Sequence, residues 1–263
     1  MIINRYEKPN SVQEAYEMLN STPKSVVIGG GAYIRLGKRH VDLAIDMCNT
    51  GLNFIHENKK TIEIGATTTF RQLEKSEILK NYYGGVIPIT VKDVMGVQMR
   101  NIVSIGGTIH GRYGFSDLIT ILLALDCSVV LHKSGEMYLE NFLKEKANHK
   151  DILEKIIIQK DNRIGSFMSM KNTANDFSII NVAVCRKNKS YNIAVGSRPG
   201  IAILATKAMN YMESSNMNEY DAAKAGEIAA NELIFAGDLR ASKEYRKELC
   251  SVLVKRALME VMK

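Results

Sequence analysis

Two glycine-rich segments and one carboxylate are the residues whose types and spacing can do chemistry. Gly29-Gly30-Gly31 follows an apolar run, Ser25–Ile28, that reads as a buried strand. Glycine after a strand admits positive φ and lets backbone N–H groups come close to a ligand, which is how a loop cradles a phosphate. The second segment, Arg100-Asn-Ile-Val-Ser-Ile-Gly-Gly-Thr-Ile-His-Gly111, sets Gly106-Gly107 between two hydroxyls, Ser104 and Thr108. Ser116-Asp117 follows. A carboxylate there can accept hydrogen bonds from sugar-type hydroxyls, and Ser116 or Asp117 can equally cap the apolar helix beginning at Leu118. Two glycine turns in one domain suggest one extended, phosphate-bearing ligand.

The familiar phosphate motifs fail. A G-x-G-x-x-G fingerprint starting at Gly29 needs glycine where Ile34 stands. A Walker A ending at Gly37-Lys38 needs glycine at Ala32 and Ser or Thr at Arg39. Taken alone, the triple glycine fits a tight structural turn as well as a ligand loop. Cys48, Cys127, Cys185 and Cys250 lie far apart without a C-x-x-C, and His40, His56, His110, His132 and His149 form no recognisable set. Neither an iron–sulfur nor a zinc site is coded by spacing.

The elements that must position these residues are short. Ser11-Val-Gln-Glu14 reads as a capping box for a helix over 11–20. Strands are expected at 25–28, 43–47, 61–65 and 127–132, and helices at 71–79, with Leu73 and Ile78 inward, and at 118–125. Ile102–Gly107 reads as a run into a turn, and Lys133-Ser-Gly-Glu136 as a hairpin turn. Residues 152–159, 177–186 and 191–196 read as strands of one antiparallel sheet, followed by helices over 202–212 and 219–235. A last helix from Ser242 should carry Tyr245, Leu249, Val252, Leu253 and Ala257 on one face.

The chain has 263 residues, enough to bury a sizeable core, and a formal net charge of +7. Residues 142–192 hold ten basic and five acidic side chains. They include few aromatics, no finger motif and no basic helix, so a solvated face or a docking face for an acidic partner is favoured over nucleic acid. No apolar run approaches the ~18 residues of a membrane span, and the start lacks a signal-type apolar stretch. Reduced thiols and a cytoplasmic location are the expectation.

In order and spacing these pieces resemble the FAD-binding, medium subunit of molybdenum hydroxylases of the carbon monoxide dehydrogenase, xanthine dehydrogenase and nicotinate dehydrogenase types. Tyr6-x-x-Pro9 resembles the family's opening, Val27-Ile-Gly-Gly-Gly-Ala-Tyr33 its first flavin loop, and Ile64-Gly-Ala-Thr-Thr-Thr69 the strand-turn after it. Arg100-Asn101 with Ser104-Ile-Gly-Gly107 resembles the second pyrophosphate loop, and Ser116-Asp117 with Leu122-Leu-Ala-Leu-Asp126 continues in register. Asp238-Leu-Arg-Ala-Ser242, Tyr245-Arg246 and Val252–Ala257 look like the flavoprotein C-terminal domain.

The resemblance implies an α+β fold. A two-part p-cresol methylhydroxylase-type FAD-binding domain spans 1–158, with subdomains about 1–55 and 56–158. An antiparallel sheet with helices follows over 159–263. It also implies noncovalent FAD, with Val27, Ile28, Gly29, Gly30, Gly31 and Ala32 at the pyrophosphate and Tyr33 and Ile34 near the ring or ribityl chain. Val94 and Met95 would line the adenosine or ring pocket, and Leu153 would pack on the cofactor. Ser104, Gly106, Gly107, Thr108 and Gly111 would form the second loop. Asp117, with Ser116 beside it, would bind hydroxyls, and Lys171 is the shifted candidate for a basic residue near the ring. The chain departs from the family at Gly31-Ala32, at Thr108 and at Arg112-Tyr113-Gly114. Further implied are an iron–sulfur subunit and a molybdopterin subunit as partners, with electrons passing through FAD to NAD or another acceptor. A flavin-free scaffold subunit and a self-contained flavin oxidase are the alternatives.

Overall fold

A computed structural model describes residues 1–145 and 150–263, so His149 lies outside the described residues. The chain runs through β1 (Ile2–Glu7), α1 (Val12–Ser21), β2 (Ser25–Ile28), β3 (His40–Asp46), β4 (Ile55–Glu57), β5 (Thr61–Gly65), α2 (Phe70–Lys75), α3 (Glu77–Lys80) and α4 (Val86–Lys92). It continues with α5 (Val97–Arg100), α6 (Ile105–Gly111), α7 (Asp117–Ala124), β6 (Ser128–Leu131), β7 (Gly135–Tyr138), α8 (Leu139–Lys144) and β8 (Leu153–Gln159). Last come β9 (Ile164–Met170), β10 (Ile180–Lys187), β11 (Ser190–Gly196), β12 (Ile203–Leu204), α9 (Thr206–Glu213), α10 (Glu219–Glu232) and α11 (Lys243–Met262).

The chain forms two compact units that interleave in sequence. The first comprises Met1–Leu73, Val97–Gly111 and Cys127–Gln159; the second comprises Glu74–Gly96, Arg112–Asp126 and Lys160–Lys263. The boundary expected at 158/159 falls one residue before the end of β8, and α3, α4 and α7 of the preceding half belong to the second unit. The composition of α7 requires this. Every residue from Asp117 to Ala124 is buried, and such a helix must be covered on all sides. Within its unit it is covered by α4, β10 and β11.

In the first unit β1, β3 and β2 make a parallel sheet with β3 central, and Leu43, Ala44 and Ile45 are fully buried. Ser11 Oγ accepts from the Glu14 N–H, as a cap should. Glu14 Oε2, however, accepts from the Asn10 N–H, one residue before the cap. The second sheet runs β4-β5-β8-β6-β7, all antiparallel, and buries Ile62, Ile64, Val129, Ile156 and Ile158. Residues 152–159 therefore lie in this sheet and not beside β10, because β5 and β6 flank them. The helix expected over 71–79 is broken at Ser76, whose hydroxyl caps α3, and Leu79 is buried where Ile78 was expected inward.

In the second unit β12-β11-β10-β9 form an antiparallel sheet backed by α9, α10 and α11. The sequence pattern missed β9, whose Gly-Ser-Phe-Met-Ser-Met run lacks β-branched alternation. The helix expected from 202 begins at Thr206, after the short β12. The buried face of α11 is broader than expected, since the helix packs on both α10 and the sheet. Arg246, Leu249, Cys250, Leu253, Val254, Ala257, Leu258 and Val261 are buried, while Tyr245 and Val252 face solvent. Small residues on α10 permit the approach: a Cβ on Gly226 would lie 2.4 Å from the Ser251 carbonyl oxygen.

Candidate functional site

The first glycine segment leaves β2 where Ile28 is in register with Asp46. Its geometry demands glycine. A Cβ on Gly30 would lie 1.3 Å from the Ile102 carbonyl oxygen, and one on Gly29 would lie 2.4 Å from Ser104 Oγ. Gly31 turns the chain at φ +68°, the left-handed region open to glycine without strain. The first glycine segment thus packs directly, without side chains, on Ile102 and Ser104 of the second, and a side-chain-free backbone of this kind can approach a phosphate ester closely. Tyr33 and Ile34 follow, half-buried, leading into a single turn of 3₁₀ helix, Ile34–Leu36.

The second glycine segment is not the turn expected from sequence. Gly106 and Gly107 lie in the first turn of α6. Glycine is a poor helix former, but Gly106 is needed because its Cβ would sit 2.6 Å from Ala66 Cβ. Most donors here are spent inside the chain. The Ile105 N–H goes to Thr68 O at 2.9 Å, the Gly106 N–H to Ala66 O at 2.8 Å, and the Thr108 N–H to Ser104 O at 3.1 Å. The Gly107 N–H reaches Ser104 Oγ at 3.3 Å, and the Thr108 hydroxyl donates to Ser104 O at 2.9 Å. Thr108 is therefore turned inward, and Ser104 supports Gly29 from below. Gly111 ends α6, exposed. Leu153 is buried in β8 opposite Leu131.

In the second unit, Asp117 opens α7, and the capping role is taken by its neighbour, because Ser116 Oγ accepts from the Ile119 N–H at 3.1 Å. Asp117 is 6% exposed. Its Oδ1 accepts from Ser178 Oγ at 2.7 Å and Asn181 Nδ2 at 2.6 Å, and its Oδ2 faces Lys171 Nζ at 3.6 Å. Lys171 also donates to the Asp93 carbonyl oxygen at 2.7 Å. Burial pushes the Asp117 carboxyl above the usual carboxylate range, opposed by the Ser178 bond, the Lys171 charge and the Asn181 bond. Val94 and Met95 follow α4 and Asp93, half-buried, with Met95 at φ +51°.

Ser178 and Asn181 were not singled out from sequence. An amide inside the apolar run Ile180–Cys185 is the one signal that pointed to them, since a buried polar side chain in a strand must have partners. The departure at Arg112-Tyr113-Gly114 has a local reason. Tyr113 stacks on Phe115 at 5.2 Å, Phe115 tilts against Phe177 at 4.3 Å, and a Cβ on Gly114 would lie 2.9 Å from the Gly200 carbonyl oxygen. Among the described residues, no group of three His, Cys, Asp or Glu side chains is placed to hold a metal, and no helix is long and apolar enough to cross a membrane.

The chain is thus built of two units, and in the first of them the two glycine segments pack against each other at Gly29, Gly30, Ile102 and Ser104. Residues 2–160 match the FAD binding domain in molybdopterin dehydrogenase, and residues 165–261 match the CO dehydrogenase flavoprotein C-terminal domain. The chain belongs to this family, which makes it the FAD-binding, medium-subunit-type chain of an oxidoreductase. It is 23% identical over 260 residues to the uncharacterized protein YgfM of Escherichia coli (strain K12), covering 96% of this chain and 94% of that one. It is 23% identical over 276 residues to the nicotine 6-hydroxylase medium subunit of Paenarthrobacter nicotinovorans, covering 97% and 96%. Its fold matches a chain of carbon monoxide dehydrogenase from Hydrogenophaga pseudoflava with a TM-score of 0.90, at 21% identity and with 98% and 96% coverage. The residues present fit FAD in one respect: Gly29 and Gly30 leave the segment free of side chains where it packs on Ile102 and Ser104.

Proposed function

We propose that this chain holds FAD noncovalently as the electron-transfer subunit of a molybdenum hydroxylase, beside an iron–sulfur subunit and a molybdopterin subunit, in the cytoplasm. Cys127, Cys185 and Cys250 are buried in the core, which is compatible with a reducing compartment. Bound FAD supplies the carrier that takes electrons from iron–sulfur centres and gives them to NAD or another acceptor.

The chain's own residues bind and orient. The Gly29, Gly30, Gly31 and Ala32 amides, following Val27 and Ile28, donate to the pyrophosphate. Ser104, Gly106, Gly107 and Thr108, with Gly111 beyond them, form the floor that keeps this segment close-packed and free of side chains. Tyr33, Ile34 and Leu153 supply apolar contact, as do Val94 and Met95. Asp117, capped beside Ser116, and Lys171 meet the hydroxyls and the charge of the cofactor. No acid–base dyad is required, because the redox chemistry is the cofactor's own.

The observation that carries this reading is the packing of Gly29 and Gly30 on Ser104 and the Ile102 carbonyl, which brings the two glycine segments together without side chains between them. The test is the visible absorption spectrum of the purified full chain with chromatography of the acid-released flavin. Bound FAD near one per chain is expected. A colourless protein that takes up no added FAD would contradict it and assign the chain to the scaffold alternative.

A further inference from the structure

Two side chains that bond the Asp117 carboxylate, Ser178 and Asn181, come from the flavoprotein C-terminal part of the chain, 61 and 64 residues away along the sequence. We propose that Ser178 and Asn181 are positioning residues: they hold the Asp117 carboxylate with its second oxygen toward Lys171, and so act on FAD binding through Asp117. This rests on the reading of Asp117 and Lys171 as FAD-binding groups.

The geometry leaves the carboxylate one orientation. Both donors meet Oδ1, at 2.7 Å and 2.6 Å, which leaves Oδ2 for Lys171. The Asn181 amide is itself fixed. It is fully buried, its Nδ2 also reaches Ser197 Oγ at 3.0 Å, and its Oδ1 accepts from Thr120 Oγ1 at 2.7 Å. A flipped amide would set its oxygen against the carboxylate, so the flip is excluded. Space for the amide is made by Gly196, where a Cβ would lie 2.4 Å from Asn181 Oδ1. Ser197 is anchored in turn, since its carbonyl accepts from the buried Arg246 guanidinium, which also binds Asp238. The network therefore runs from α11 to the start of α7 within one unit. The charged groups in it are Lys171 after β9, Asp117 on α7, Arg246 on α11 and Asp238 before α11. A hydrogen bond donated to a carboxylate favours its ionised form, so both donors oppose the upward push that burial gives the Asp117 carboxyl while they orient it.

The test measures the FAD dissociation constant of the full chain by flavin fluorescence across roughly pH 5 to 9. The proteins compared are native, Ser178→Ala, Ser178→Thr, Asp117→Asn and the Asp117→Asn/Ser178→Ala double variant. Ser178→Ala is expected to weaken FAD binding about tenfold at neutral pH, the effect of one charge-assisted hydrogen bond. Its affinity should begin to fall at a higher pH than the native chain's as the solution is acidified. Ser178→Thr, which keeps the hydroxyl, restores affinity. In the Asp117→Asn background the pH dependence flattens and Ser178→Ala has no further effect. Thr120→Val, isosteric and one bond further from the carboxylate, gives a smaller shift, about threefold, in the same direction, and serves if Ser178→Ala does not fold. A native affinity and pH profile in both Ser178→Ala and Thr120→Val would overturn the proposal alone, as would an equal loss from Ser178→Ala with and without Asp117. A native chain that takes up no FAD would overturn the FAD reading together with it.

Discussion

The two units place their candidate chemistry in different materials. In the first it resides in backbone, and the requirement is the absence of side chains: Gly29, Gly30 and Gly106 each touch another segment where a Cβ would collide. In the second it resides in a carboxylate and an ammonium, held by hydroxyls and an amide contributed from four other places in the chain. Backbone contacts tolerate drift in neighbouring side chains, and Thr108, whose hydroxyl bonds Ser104 O, does not disturb them. A buried polar network does not tolerate drift, because each member left unpaired costs its desolvation.

This contrast can be broken or sharpened by substitution. The largest effect is expected from Arg246→Met, which leaves the Ile179 and Ser197 carbonyls without their buried donor, while Asp238 keeps the Arg240 and Ala241 N–H groups. A loss of about 3 kcal/mol in urea unfolding is expected from buried acceptors left unsatisfied at about 1–3 kcal/mol each; an unchanged midpoint would show that the network is not cooperative. Gly30→Ala comes next. Its Cβ must push the Ile102 carbonyl away, at about 1–3 kcal/mol in overpacking strain, with loss of FAD binding. Gly37→Ala is its control: the Cβ would lie 3.4 Å from Ile34 O, an ordinary contact, and both stability and flavin content should hold.

An ion pair outside the site gives a smaller and pH-dependent effect. Asp161 is held at about 2, since hydrogen bonds from Arg163 and Lys187 outweigh the desolvation that would raise it. Its folded value lies below its unfolded one, so its stabilisation is present above the ordinary carboxylate value and is lost as pH falls toward 2. Asp161→Asn should cost about 2 kcal/mol at neutral pH, and the difference from the native chain should vanish in acid. The smallest effect is chemical. Burial pushes the Cys185 and Cys250 thiols up to about 12, whereas Cys48 is exposed. Mass spectrometry after brief alkylation of the folded chain should find Cys48 modified and both buried thiols intact, with no change in unfolding midpoint.

Local chemistry was legible in the sequence, and long-range chemistry was not. The Ser11 and Ser116 caps, the strand before Gly29 and the α7 core helix follow from residue types within a few positions of each other. So did the order of motifs that pointed to the family. The Gly106-Gly107 helix was read as a turn because glycine propensity argues for one. What overrides it is tertiary: the seat against Ala66 and the bonds to Ala66 O and Thr68 O. Asp117 was visible as a chemical group, but its partners at 171, 178 and 181 are joined to it only by the fold.

The most direct test of the central claim, that the glycine segment packed on Ile102 and Ser104 holds the cofactor, is a calorimetric titration of FAD into flavin-stripped native chain and Gly30→Ala. The account predicts one FAD per native chain and no measurable uptake by a folded Gly30→Ala. Equal uptake by both, or none by either, would contradict it.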